Sequence, residues 1–158
     1  MRRPAVIAHR GASGYEYENS RAAFRRAVML DADGVELDVH ATKDGGIVVH
    51  HDAEIPGVGP IAQLSSGEAR KVLLRNGETI PLLSEILELV GDRDVWVEVK
   101  SLPQCYDAAL FAILDRARRR IGTPSTASTI GSSTGWARSG HLSGVASCSP
   151  LICRMRFR

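Results

Sequence analysis

The chain has 158 residues, enough for one domain with a sizeable core, and its 44% hydrophobic and 24% charged residues are ordinary for a soluble globular protein. No apolar run approaches the roughly 18 residues of a membrane span, the apolar stretch after Met1-Arg2-Arg3-Pro4 is too short for a secretory signal, and Cys105, Cys148 and Cys153 form neither a disulfide framework nor a zinc spacing; the expected location is the cytoplasm. The net charge of +2 hides an asymmetry: residues 1–115 hold all 18 acids against 12 bases, a net of −6, and the remainder carries +8.

Ala5 to His9 reads as a short buried strand. Ser20 or Asn19 caps a helix through about Leu30, whose Phe24, Ala27 and Val28 recur at helical spacing. "VELDV", Val35 to Val39, alternates apolar and acidic residues, and "IVVHH", Ile47 to His51, is a second strand; Lys43-Asp44-Gly45-Gly46 between them signals a hairpin. Residues 53–64 read as an irregular loop. Ser65 and Glu68 have capping-box spacing before a short helix. Pro81 opens another helix, with Leu83, Ile86, Leu87 and Val90 on one face and Gly91 at its end. "VWVEVKS", Val95 to Ser101, is a further strand, and a helix from about Tyr106 to Arg120 has Leu110, Phe111, Ile113, Leu114 and Ala117 as its apolar side. Alternating strands and helices predict an α/β domain with a mainly parallel sheet. The chain divides at residue 122. Residues 123–158 have no Asp or Glu, eight Ser and no sustained period, as in a disordered tail or a stretch read out of frame from near residue 120. Their arginines are dispersed, so no nucleic-acid arm is expected.

Residues two apart on a strand share a face, so Glu36 and Asp38 point one way and Val35, Leu37 and Val39 the other. An isolated "VELDV" suits a strand with its acids in water, but two such carboxylates are also the start of a hard-cation site. With Asp44-Gly45 as the two turn residues, Lys43 pairs with Gly46, which sets Asp38 opposite His51 and Val39 opposite His50. A one-residue slip exchanges the two histidines. Glu98 and Lys100 share a face of "VEVK" in the same way: Glu98 can complete a cation site and Lys100 can meet an anion. His9 and Arg10 close the first strand. A histidine there suits a structural role as well as a catalytic one, and the guanidinium fork of Arg10 suits a phosphate. Hydrolysis of a phosphodiester needs these groups together: a cation on the phosphate oxygens, a basic side chain for developing charge, and histidines to take and give a proton.

"HRGASGYEYENSRAAF", "GVELDVHATKDGGIVVHHD", "IPLLSEIL" and "VEVKS", in this order, resemble the N-terminal half of the glycerophosphodiester phosphodiesterase family, over about residues 5–120. The resemblance implies a TIM-barrel fold, incomplete in this chain, with residues 1–122 as a partial domain and 123–158 as a basic tail. It implies metal-dependent hydrolysis of a small glycerophosphodiester to glycerol 3-phosphate and an alcohol, using Mg²⁺ or Ca²⁺. By position, His9 and His51 are the acid/base pair, Arg10 and Lys100 bind the phosphate, Glu36, Asp38 and Glu98 hold the metal, and Glu18 and Asn19 support the site. His51, directly before Asp52, is preferred over His50. Tyr17 and Ser20 depart from the proline and threonine of the family's "PENT" segment, and residues 53–80 form a short insertion. Weak or no hydrolysis is expected of the isolated chain; the alternative is a module that binds phosphate and metal without turnover.

Overall fold

The computed structural model of the protein describes residues 3–120 and 151–155. Strand β1 (Ile7–His9) leads to helix α1 (Arg21–Met29), strand β2 (Gly34–Ala41) and strand β3 (Ile47–Val49). Two short strands, β4 (Glu54–Ile55) and β5 (Gly59–Pro60), and helix α2 (Ser66–Ala69) precede helix α3 (Leu83–Val90). Strand β6 (Asp94–Ser101), helix α4 (Asp107–Arg120) and strand β7 (Leu151–Met155) complete the described elements.

β1, β2 and β6 lie side by side and parallel, with β2 in the middle. One edge of β2 is shared. β1 pairs with Gly34–Glu36, and β3 pairs antiparallel with Val39–Ala41 further along. β2 is thereby paired along its length, and Val35, Leu37 and Val39 on its face are fully buried against Phe24 and Ala27 of α1 and Leu83 and Ile86 of α3. On the other side, the ladder with β6 shifts register by one: Val39 faces Val99 but His40 faces Ser101. Lys100 is the extra residue of this bulge, a device that re-aims a side chain at a strand end.

The helices form by capping and one-sided burial. Ser20 accepts the backbone N–H of Ala23 at the start of α1, and Ala23, Phe24 and Ala27 face the core. Ser65 and Glu68 make the expected capping box. In α3, Leu83, Ile86, Leu87 and Val90 are buried as the spacing predicts, but the helix begins at Leu83, two residues after Pro81. In α4, Leu110 and Leu114 enter the core, whereas Phe111 is exposed: a step of one residue turns a side chain about 100° around the helix, away from the Leu110–Leu114 stripe.

Two departures concern the site. β3 ends at Val49, so His50 and His51 lie beyond the ladder, and Val39 faces Val49 rather than His50. The turn is the cause. Of its central residues Gly45 alone has a positive φ, 80°, so the two-residue turn that needs positive φ at both positions does not form. Lys43, Asp44 and Gly45 instead form a three-residue loop closed by Thr42 N–H on the Gly46 carbonyl, at 2.9 Å. Asp44 is fixed by the hydroxyl of Thr42 and by the backbone and hydroxyl of Ser66.

Residues 53–80, expected to begin as an irregular loop, build a small second core of Ile55, Ile61, Ala69, Leu74 and Ile80 on Val48 of β3. Tyr17, where the family has proline, packs on it. Within the segment read as unpatterned, Leu151–Met155 forms β7, antiparallel to β6, from a run rich in large apolar residues. The rest of that segment, 123–150 and 156–158, lies outside the described residues, and with it Cys148. Among the described residues no helix is long and apolar enough to cross a membrane.

Candidate active site

β1, β2 and β6 run in the same direction, so their C-terminal ends open on one side of the sheet. That end of β1 offers His9 and Arg10; β2 offers Glu36 and Asp38; β6 offers Glu98 and Lys100. The ladder sets Glu98 beside Asp38 and Glu36 beside His9. One oxygen each from Glu36, Asp38 and Glu98 lies within 4.8 Å of the others.

Asp38 is the hub. Its side chain is fully buried, and Oδ2 accepts from Asn19 Nδ2 at 2.9 Å and lies 3.2 Å from Arg10 Nε. Oδ1 pairs with Lys100 Nζ at 3.2 Å. A buried carboxylate needs a compensating positive charge, and at Oδ1 the ammonium of Lys100 supplies it. Glu36 shows the same need. Burial holds its carboxyl above the usual carboxylate range, an effect to which the charges of Asp38 and Glu98 add against the Arg10 N–H and His9. Three crowded oxygen ligands of this kind suit a hard divalent cation such as Mg²⁺ or Ca²⁺ and give no selectivity between them.

The basic groups are held by the same acids. Arg10 Nη1 donates to Glu18 Oε2 at 2.8 Å, and the Arg10 backbone N–H donates to Glu36 Oε2 at 3.1 Å. Burial works against the charge of Arg10, but its bond to Glu18 and the charges of Asp38, Glu18 and Glu36 outweigh it and keep the pKa above its ordinary value. Lys100 Nζ donates to Glu98 Oε1 at 2.7 Å. Its pKa is likewise raised, against burial, by that bond and by Asp38. Both side-chain cations stand at the acidic cluster.

The loop after β1 makes this possible through unusual backbone. Arg10 and Asn19 both have φ of 54°, a left-handed conformation that costs a non-glycine residue energy. Their backbones are joined, Asn19 N–H to Arg10 carbonyl at 3.0 Å. Gly11, with φ 78°, lies so close to α1 that a Cβ there would stand 2.7 Å from the carbonyl carbon of Ala23. At the far end of the loop, the Glu78 carboxylate accepts the Arg21 and Ala22 backbone N–H groups, tying the 70–80 segment to the start of α1.

The histidines are placed unequally. His9 Nε2 lies 3.8 Å from Glu36 Oε2, and the His9 side chain is mostly exposed. His50 N–H bonds the Asp38 carbonyl, so the cross-strand neighbour of Asp38 is His50, one residue from the expected pairing. His51 is set by another contact: its Nδ1 pairs with Asp52 Oδ1 at 2.8 Å. That bond, foremost, and the charges of His51, His50 and Arg10 hold the Asp52 carboxyl below its ordinary value. The preference for His51 thus rests on its carboxylate neighbour and not on the hairpin count. One buried side chain at this corner escaped the sequence reading: His40, two residues beyond Asp38 on the same face of β2, reaches the His51 carbonyl at 3.0 Å. The period of two that united Glu36 and Asp38 extends to it. A groove of about 460 Å³ runs beside β1 and α1 past His9 and Tyr15, but none of the three carboxylates lines it.

The sequence pattern of the glycerophosphoryl diester phosphodiesterase family matches residues 9–110. The chain belongs to this family. A glycerophosphodiester phosphodiesterase of Caldanaerobacter subterraneus subsp. tengcongensis is 45% identical over 109 residues, 61% of this chain and 45% of that protein. One of Bacillus altitudinis is 38% identical over 99 residues, 56% of this chain and 40% of the other. Among solved structures, an Oleispira antarctica phosphodiesterase in complex with its product sn-glycerol-3-phosphate is similar with a TM-score of 0.65 and 28% identity, over 72% of this chain and 53% of that one. The enzyme of Thermotoga maritima gives a TM-score of 0.60 at 29% identity over 73% and 52%. The chain thus spans about half the length of the relatives it matches. Its three parallel strands and their helices are part of the family's TIM-type barrel.

Proposed function

We propose that this chain carries the metal-binding and phosphate-binding face of a glycerophosphodiester phosphodiesterase, which adds water across a P–O bond to release glycerol 3-phosphate and an alcohol. The observation that carries the reading is the cluster of Glu36, Asp38 and Glu98 with Arg10 and Lys100 standing against it. In this reading the three carboxylates hold a Mg²⁺ or Ca²⁺ ion. When bound, the ion neutralises phosphate oxygens and lowers the barrier to attack on phosphorus.

The remaining roles belong to the side chains. Arg10 and Lys100 exchange part of their carboxylate contacts for phosphate oxygens and orient the diester. Glu18 and Asn19 hold Arg10 and Asp38 in place meanwhile. His51 Nδ1–H donates to Asp52, which leaves Nε2 free to take or give a proton. His9 supplies the complementary transfer, protonating the leaving alkoxide as the other histidine accepts the proton of water, or the reverse. The substrate is a small soluble diester such as glycerophosphocholine.

The test is release of glycerol 3-phosphate from glycerophosphocholine by the purified chain with Mg²⁺ or Ca²⁺, against a chelated control. Metal-dependent release that disappears in His51→Ala and His9→Ala supports the reading; none at any cation concentration refutes it. The span of about half the relatives' length favours one second reading, a module that binds cation and phosphate without turnover. Calorimetric binding of Ca²⁺ and glycerol 3-phosphate with no hydrolysis would identify it.

A further inference from the structure

His40 has a 3% exposed imidazole at the end of β2, and neither the cation site nor the phosphate contacts use it. Its Nε2 lies 3.0 Å from the backbone carbonyl of His51. A carbonyl only accepts, so Nε2 must carry a proton and donate. The residues it reaches have left the ladder, since β3 ends at Val49. Beyond that point the His50–Asp52 corner is joined to β2 by two bonds: His50 N–H to the Asp38 carbonyl at 3.1 Å, and the His40 ring to the His51 carbonyl. The first continues the backbone ladder by one step. The second acts on His51 itself. With its carbonyl held by His40 and its Nδ1 held by Asp52 at 2.8 Å, His51 is fixed at both ends.

We propose that His40 is a positioning residue: its Nε2–H donation to the His51 carbonyl fixes the acid/base imidazole of His51 relative to the Asp38 cluster. The inference rests on the proposed hydrolytic role of His51. A wholly structural histidine would instead contribute stability and leave the His51 ring unaffected by its loss.

The experiment uses the full chain in three forms: wild type, His40→Met, which lacks a donor of this reach, and His40→Gln, whose side-chain N–H can replace it. Ring ¹⁵N spectra of the wild type are expected to show His40 protonated at Nε2; protonation at Nδ1 alone would overturn the proposal. The ring ¹⁵N shifts of His51 are expected to show one tautomer, protonated at Nδ1 toward Asp52, in the wild type, to average toward a mixture in His40→Met and to return in His40→Gln. In the hydrolysis assay His40→Met is expected to lower kcat by about tenfold, with KM within about twofold, as displacement of a reacting group does. His40→Gln is expected to recover most of that loss. A folded His40→Met with an unchanged His51 resonance and kcat refutes the role. Should the wild type not hydrolyse the diester, the proposed function fails while the His51 resonance still decides the inference. Should His40→Met not fold, the wild-type tautomer and the His40→Gln spectrum decide it.

Discussion

Replacing Lys100 with methionine separates two tasks that oppose each other at one ammonium group. Lys100 Nζ stands 2.7 Å from Glu98 and 3.2 Å from Asp38, so it partly neutralises the oxygens that a divalent cation would use. Two unit charges about 4 Å apart interact by about 1 kcal/mol at the dielectric of water and about 4 kcal/mol at the value near a protein surface, and a divalent ion doubles either figure. The Lys100 side chain is only 23% exposed and Asp38 is fully buried, so the bulk-water figure is the lower bound. The repulsion removed with the ammonium is then at least about 2 kcal/mol, or roughly 30-fold in affinity. Part of it is offset because the unpaired carboxylates repel each other more strongly, so a gain of at least about tenfold is expected. Isothermal calorimetry with Ca²⁺ and with Mg²⁺ at neutral pH measures it. Lys100→Arg, which keeps the charge, serves as control and should stay within about threefold of wild type. Hydrolysis by Lys100→Met should fall even as the cation binds more tightly, because a phosphate contact is gone. Cation affinity in Lys100→Met equal to or weaker than that of the wild type would refute the placement of the ion among these oxygens.

The same cluster governs pH and cation dependence. The pKa of Glu36 is raised in the folded chain, so its favourable contribution is fully present below about pH 4.5 and is lost as pH rises through the raised value. Glu36→Gln should therefore melt higher than wild type at neutral pH in chelator, with the difference closing toward pH 4. With Mg²⁺ or Ca²⁺ the order should reverse, since a ligand at a hundred times its Kd stabilises the wild type by about 2.7 kcal/mol. Asp44 has the opposite sign: the Thr42 and Ser66 bonds hold it at about 2 against an ordinary 3.8, so its contribution is present above pH 4 and fades as pH falls toward 2. Asp44→Asn should accordingly destabilise at pH 7 and not at pH 2 in chemical denaturation. Glu78→Ala removes the acceptor of two N–H groups at the start of α1 and should cost about 1 kcal/mol by denaturant titration, the scale of a lost helix cap.

What the sequence revealed follows from period. Glu36 with Asp38, and Glu98 with Lys100, were assignable to common faces because a strand side chain repeats every two residues, and the helices Phe24 and Leu83 belong to were visible at 3.6. The hairpin register was not, because Asp44 is held by Ser66, 22 residues further along, and that contact decides between a two- and a three-residue turn. The bulge at Lys100 and the left-handed backbone of Arg10 carry no local signal in their own residue types, whereas Asn19 is a type that tolerates that conformation. The histidines show the same limit: the hairpin count sets His51 across from Asp38, whereas His50 stands there. His40 shares the period-two face of Glu36 and Asp38, but its partner is a backbone carbonyl 11 residues away, which no residue type in the sequence marks.

β7 gives the sheet a property of a different kind. A strand has one hydrogen-bonding edge on each side, and on β6 the side away from β2 is taken by Leu151–Met155 running antiparallel. A further parallel strand, the next member of a barrel, would need those same N–H and C=O groups. Occupation by β7 and growth of the barrel past β6 are therefore mutually exclusive states of one edge. While β7 is in place the edge open to pairing is that of β7 and no longer that of β6, so the strand that meets another chain changes with the state.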